Sequence, residues 1–319
     1  MSNLSNHKVT YCPGPGAVLS EWFTYQREYF GRGDHEYQIL KEKTLNWLKK
    51  KAGQDIVVPI AGSGTTAAIV AINSFLQGKI LIINTGYYSQ RWSDYLKNTN
   101  LKNNFDFIEY EKFIDNNFKK KNYDWVLFVY VETASCKKFN LKKVDKIRKK
   151  LGSKLIMDAT ASIGLENNHN LADVVFFSSC KGLLGPTGLG FIAYKNKTKV
   201  IKSKDFWFDL ETHSNAKYTL GYNCMASLYG VSMKHNIYKK KILMAAKIMK
   251  KFTLQEHPLP KIGIPLKYDL IKKINKNIIL YQPRKKPNYD VIFFLGITKF
   301  SFTDIKKILK NNIINNLNY

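Results

Sequence analysis

The sequence predicts an α/β fold: a mostly parallel, seven-stranded-type sheet sandwiched by helices, with a small C-terminal α+β domain after it. Three observations predict it. Short apolar runs such as "DIVVPI", "KILIIN" and "ADVVFF" recur along the first two thirds of the chain. They alternate with stretches whose apolar positions have helical spacing. Past about residue 205 that alternation stops. Strands that read as continuous apolar runs are covered on both faces, which is the mark of a parallel sheet.

Taken in order, residues 34–51 read as a helix with Asp34 as its N-cap. "DIVVPI" is a strand, and "AGSGTTAAIVAINSFL" is a glycine turn opening a helix. "GKILIIN" is a buried strand followed by the helix "YSQRWSDYLKN". "FDFIEY" is a short strand, and "YDWVLFVYVET" is a long buried one. "NLKKVDKIRKKLG" is a helix stopped by Gly152. "SKLIMDAT", "ADVVFFSS" and "GLGFIAYK" complete the sheet. Beyond it, residues 234–255 read as a long basic helix and "EHPLPKIGIP" as a connector. "DVIFFLG" and "SFTDIKKILKNNI" read as a strand and a helix. The domain boundaries that follow are 1–230 for the large domain and 231–319 for the small one, with the N-terminal segment free to cross to the latter.

The composition is that of a globular protein, with 45% hydrophobic and 24% charged residues. No apolar run approaches the ~18 residues of a membrane helix. "MSNLSNHKVT" has no apolar core, so no secretory signal is expected and the expected location is the cytoplasm. Cys12, Cys136, Cys180 and Cys224 are far apart, and neither they nor the six histidines have metal-ligand spacing. The net charge of +27 is spread over lysine runs on helix faces. No DNA- or RNA-binding signature accompanies it, so it reads as a compositional bias whose field would draw in anionic substrates.

In such a sheet ligands bind beyond the carboxyl ends of the strands. Ser63, Gly64 and Thr65 stand there and open a helix, which is either a plain turn or a phosphate cradle. Tyr87 and Tyr88 follow "LIIN", and either could stack on a flat ring or cover apolar surface. Glu132 and Thr133 end another strand. Asp158 ends "KLIMD", where a carboxylate needs a cation or donors unless it merely caps the next segment. Lys181 stands at the end of the following apolar run, where partial desolvation would favour the free amine that attacks an aldehyde. A pyridine ring bearing a phosphate, a ring nitrogen and an aldehyde would use a helix N-terminus, a carboxylate and a lysine together.

The chain resembles the class V, fold-type I pyridoxal-phosphate aminotransferases, in particular the 2-aminoethylphosphonate–pyruvate and alanine– or serine–glyoxylate enzymes. The resemblance runs from about residue 10 to 230 through "TYCPGPGAVLS", "YFGRGDHEYQIL", "GSGTTA", "NTGYYSQRW", "ETASC", "DATASIG" and "SSCKGLLGPTGLGF". It implies that Lys181 forms the Schiff base with pyridoxal 5'-phosphate and moves the proton. It implies that Asp158 pairs with the ring nitrogen, and that Ser63, Gly64 and Thr65 hold the phosphate. Tyr88 would stack on one ring face, Thr160 would touch the other, and Thr133 would bond the phenolic oxygen. Thr219 would reach the phosphate of a neighbouring subunit, which implies a homodimer with shared sites.

Departures from the family pattern bear on the substrate. Phe294 or Leu295 stands where relatives carry an arginine that forks onto the substrate carboxylate. Either another arginine takes the carboxylate, Arg32 or Arg284, or the substrate is not an ordinary 2-oxo acid; Arg32, in the "GRGDHEY" loop, is the residue expected in the site unless it is a plain surface-loop residue. Cys136 replaces a family glycine, Cys180 replaces Gln or Asn, and Leu220 and Gly221 follow Thr219 where relatives have proline. The expected activity is transfer of an amino group between a small amine or amino acid, which could carry a phosphonate or phosphate, and a carbonyl acceptor. The alternatives are a pyridoxal-phosphate lyase or decarboxylase, and a non-catalytic basic binding protein on the same fold.

Overall fold

The computed structural model describes residues 9–14, 16–27, 30–31, 33–119, 121–215, 221–254, 258–266, 278–281 and 287–314. The chain begins with β1 (Val9–Tyr11), α1 (Glu21–Thr24) and α2 (His35–Ala52). It continues through β2 (Ile56–Ala61), α3 (Gly64–Phe75), β3 (Ile80–Asn84), α4 (Tyr87–Lys97), β4 (Phe105–Glu109) and α5 (Tyr110–Ile114). Then come β5 (Trp125–Val129), a hairpin of β6 (Val131–Glu132) and β7 (Lys137–Lys138), α6 (Leu141–Lys150), β8 (Lys154–Asp158), β9 (Val174–Ser178) and β10 (Leu189–Tyr194). The last third holds α7 (Leu210–Ser214), α8 (Tyr222–Met249), β11 (Gly263–Pro265), β12 (Ile278–Leu280), β13 (Val291–Phe293) and α9 (Phe302–Leu309).

Seven strands form one sheet in the order β2-β10-β9-β8-β5-β3-β4. All neighbours are parallel except β10, which runs antiparallel to both β2 and β9. Alternate residues of the central strands go to opposite faces, as the pleat requires. Leu81, Ile83, Val126, Phe128, Leu155, Met157, Val175 and Phe177 join one core with side chains of α2, α6 and α8. Ile80, Ile82, Trp125, Leu127, Val129, Ile156, Val174 and Phe176 join the other, beneath α3 and α4. Both faces are therefore dry, which is why the strands read as unbroken apolar runs.

The helix starts follow local chemistry. Asp34 caps α2 by accepting from the Tyr37 amide at 2.9 Å. Asn140 caps α6 by accepting from Lys143 N at 3.1 Å.

Two expected elements differ. The run "YDWVLFVYVET" is not one strand: the sheet strand stops at Val129, and Val131–Glu132 turns into the β6–β7 hairpin. Its neighbour β8 ends at Asp158, paired with Val129, so no ladder remains beyond that point. The helix expected at residues 234–255 starts at Tyr222 and ends at Met249. Its first turns bury Met225, Ala226, Leu228, Gly230 and Val231, so they lack the polar face that marks a surface helix.

α8 packs against α1, α2 and α9 and runs through residue 230. β11 and β13 pair antiparallel, while β1 pairs in parallel with β12. The N-terminal segment after β1 then passes over the sheet's carboxyl rim. Gly14 lies there against Lys181, where an added Cβ would sit 3.0 Å from Lys181 N; its φ of +136° also favours glycine.

Candidate active site

The sequence-predicted residues of the site stand at or just past the ends of strands. The antiparallel direction of β10 matters here: its first residues, Leu189 and Gly190, pair with Ala61 and Ser178, the last residues of β2 and β9. The loop 179–188 therefore leaves the carboxyl rim and returns to it. Lys181 sits in that loop at φ +53°, a left-handed conformation that a side-chain-bearing residue rarely adopts. Such strain persists only where the surroundings fix it, and it concentrates at working sites.

A cavity of about 190 Å³ opens on this rim. Lys181, Asp158, Ser63, Gly64, Thr65, Tyr88, Thr133 and Thr160 all line it. These are residues the sequence predicts for the site, and the structure brings them together. Arg32, Thr219 and Arg284 lie outside the described residues.

Lys181 Nζ donates to Thr133 Oγ1 at 3.3 Å and stands 5.0 Å from the centre of the Tyr88 ring. Asp158 is 6% exposed and has no cation in contact among the described residues. Its Oδ1 accepts from Thr160 N at 2.9 Å, and its Oδ2 accepts from Trp92 Nε1 at 3.2 Å. Burial pushes the pKa of its carboxyl up, against the pull of those donors and of the Lys181 charge. A buried carboxylate met only by neutral donors, those of Thr160 and Trp92, is short of a partner, and a protonated ring nitrogen would be one.

Ser63 is the N-cap of α3. Its Oγ accepts from Thr65 N at 3.1 Å and Thr66 N at 3.4 Å, and its own amide donates to Thr66 Oγ1 at 3.2 Å. The positive end of a three-turn helix thus faces the cavity. Gly64 keeps the approach open: an added Cβ would lie 3.2 Å from Ser178 Cβ and 3.3 Å from Thr160 Oγ1.

Glu132 holds the aromatic wall in place. Its Oε2 accepts from Tyr88 N and its Oε1 from Ala134 N, both at 2.8 Å. This ties the first turn of α4 to the residues flanking Thr133. Complete burial raises its pKa to about 7, although both amides and Lys181 favour the charged form. Of the two tyrosines left open by the sequence, Tyr88 is the one in this cavity, and Tyr87 packs edge-on against it at 5.3 Å.

Arg91 and Trp92 also line the cavity, and the sequence reading did not single them out. Tyr88, Arg91 and Trp92 stand at i, i+3 and i+4 on α4, a spacing that puts all three on one face. Cys180 lines the cavity with Sγ 3.3 Å from Ser178 Oγ. Phe294 and Leu295 are fully buried in the apolar core. Cys136, where the family pattern has glycine, has φ +51° and is buried. Among the described residues no group of His, Cys, Asp or Glu could hold a metal ion.

A profile of the family described as Aminotransferase class-V matches residues 26–204. The chain belongs to the class-V aminotransferase family. Class-V aminotransferases depend on pyridoxal 5'-phosphate. The chain is 26% identical over 218 residues to a bifunctional phosphonoacetaldehyde hydrolase/aminoethylphosphonate transaminase of Clostridioides difficile, covering 62% of this chain and 34% of that protein. It is 24% identical over 210 residues to a 2-aminoethylphosphonate–pyruvate transaminase of Phocaeicola vulgatus, covering 61% and 57% respectively. The chain thus spans well under two thirds of the length of these curated relatives. Among solved structures, pyridoxamine–pyruvate aminotransferase from Mesorhizobium loti superposes with a TM-score of 0.80 at 15% identity, covering 98% of this chain and 92% of that one. The architecture is that of the fold-type I class-V aminotransferases.

The cavity fits the cofactor of this family on its own chemistry. The under-partnered Asp158 suits a ring nitrogen, the capped start of α3 suits a phosphate, and Lys181 suits an aldehyde.

Proposed function

We propose that the protein is a pyridoxal-phosphate-dependent aminotransferase that moves an amino group between a small amine or amino acid and a carbonyl acceptor. The observation that carries this reading is one cavity with a strained lysine on one wall and an under-partnered buried carboxylate on another. When bound, pyridoxal phosphate supplies an aldehyde that condenses with amines and a ring that accepts electrons from the adjacent carbon. Lys181 Nζ holds the aldehyde end and then carries a proton to and from the substrate carbon. Asp158 keeps the ring nitrogen protonated. Tyr88 and Thr160 bracket the ring, Thr133 orients its phenolic oxygen, and Ser63, Gly64 and Thr65 take the phosphate.

The preferred donor class is a phosphonate- or phosphate-bearing amine such as 2-aminoethylphosphonate. The names of the curated relatives and the net charge of +27 support this. We place the protein in the cytoplasm as a homodimer in which Thr219 of one subunit reaches the other's site. We divide it into a large domain (1–230) and a small one (231–319). Among the described residues no helix is long and apolar enough to cross a membrane.

A second reading, a lyase or decarboxylase with the same cofactor, is supported by Phe294 and Leu295. Both are buried apolar side chains where relatives place the carboxylate-binding arginine. A spectral screen of the purified protein with pyridoxal phosphate and stoichiometric amines tests the two. A visible band that borohydride abolishes, converted by the donor to the pyridoxamine form, supports transamination. Release of carbon dioxide or a cleaved fragment supports the second reading, and absence of any band removes both.

A further inference from the structure

The chain has five arginines, of which Arg32 and Arg284 lie outside the described residues. Arg27 faces the Glu36 carboxylate at 3.8 Å. Arg148 is buried between Asp145 at 2.7 Å and Asp173 at 2.9 Å. Arg91 differs: it makes no ion pair or hydrogen bond with any described residue. Its guanidinium lies 5.5 Å from the Trp92 ring centre, and its side chain lines the cavity.

The geometry of α4 explains why it reaches the cavity. Helix side chains lean toward the N-terminus, and α4 begins at the rim. Its neighbours on the same face already have tasks, since Tyr88 stands at Lys181 and Trp92 donates to Asp158. The only cationic side chains in the described cavity wall are Lys181 and Arg91, and the only carboxylate is Asp158, which faces Trp92 and Thr160 and makes no ion pair with Arg91. At the start of α3, the amides of Thr65 and Thr66 already donate to Ser63 Oγ, so this helix end offers an anion fewer free donors than a bare one. A planar guanidinium free of carboxylates would complete the shell of a tetrahedral oxyanion, which accepts two parallel N–H bonds.

We propose that Arg91 is the oxyanion anchor of this site, binding a phosphate-class dianion through its guanidinium fork. The anion is carried either by the cofactor or by the amino substrate. The proposal rests on the cofactor reading above and adds a residue to it.

The test compares the full-length wild type with Arg91→Gln and Arg91→Lys. Each is titrated by its visible spectrum with pyridoxal phosphate and with pyridoxal, which lacks the phosphate. The loaded proteins are then titrated with 2-aminoethylphosphonate and with propylamine. If the cofactor carries the anion, Arg91→Gln weakens pyridoxal phosphate about ten- to a hundredfold and leaves pyridoxal unchanged. If the substrate carries it, cofactor binding is unchanged, and half-conversion needs about ten- to a hundredfold more aminoethylphosphonate but no more propylamine. Arg91→Lys shifts the same ligand by a smaller factor, and it is the variant to read if Arg91→Gln does not fold. Unchanged binding of all four ligands in both variants overturns the role of Arg91 while leaving the cofactor reading intact. A wild type that forms no band with either pyridoxal removes the cofactor reading and the anchor with it.

Discussion

Replacing Trp92 with phenylalanine tests the most consequential contact of the site. Trp92 is 3% exposed, meets Phe176 edge-on at 5.7 Å and donates its indole N–H to Asp158 Oδ2 at 3.2 Å. Phenylalanine keeps an aromatic body in the core and deletes the donor, leaving Asp158 with Thr160 alone. A hydrogen bond to an ionised buried carboxylate is worth about 1.5–3 kcal/mol, and one to the neutral acid about 0.5–1.5 kcal/mol. The smaller ring adds a pH-independent loss of about 1 kcal/mol. The expected total is about 2.5–4 kcal/mol where Asp158 is charged and about 1.5–2.5 kcal/mol where it is protonated.

The sign follows from linkage. Burial raises the pKa of folded Asp158 above the unfolded 3.8, so the folded chain holds a proton that the unfolded chain has released. Stability therefore falls as pH rises above that point, and removing a donor deepens the fall. Thermal unfolding of the cofactor-free variant and wild type, followed by circular dichroism at about pH 4 and pH 8, measures the difference. At the higher pH the melting temperature should drop by roughly 5–12 °C, and the deficit should be smaller at the lower pH. Equal deficits at both pH values, or none, would refute an ionisable Asp158 held by Trp92.

Two further predictions concern neighbouring residues. Burial raises the pKa of Glu132 from 4.5 to about 7, so its share of stability is lost as pH climbs through that interval. The buried His169 and His235, with pKa values lowered to about 3 and about 4, act in the opposite sense and favour folding as pH rises toward 6.5. Glu132→Gln should therefore unmask a rise in urea-midpoint stability between about pH 4 and 6.5; an unchanged profile would refute it. Lys181→Gly should exceed Lys181→Ala in cofactor-free stability by about 1 kcal/mol, because φ +53° strains any residue with a Cβ. A calorimetric comparison reads that difference, and alanine equal to or above glycine would contradict it.

Most of the sheet was legible because a strand dry on both faces writes itself as an apolar run, as "VVFFS" and "WVLFV" do. Ser63, Asp158 and Lys181 were legible for a related reason: each is polar or charged just past such a run, where topology places ligands. Arg91 carried no such mark, since an arginine in mid-helix reads as solvated surface. Only its spacing from Tyr88 and Trp92 could have hinted at a shared face. Glu132 was visible as a strand-end acid, but its partner Tyr88 is 44 positions away in sequence, a relation no local pattern records. The start of α8 was hidden because residues buried on most sides lack the polar–apolar contrast that reveals a helix.

The segment bearing Lys181 is bounded by β9 and β10, adjacent antiparallel rungs of one ladder that are each zipped to a further strand. Shifting the amine would mean unzipping the middle of the protein, whereas side chains elsewhere on the cavity wall, such as those of α4, could be exchanged without touching that ladder. Divergence in what is bound and conservation of how it reacts then become separable: lineages can exchange one cargo for another while the reactive nitrogen keeps its address.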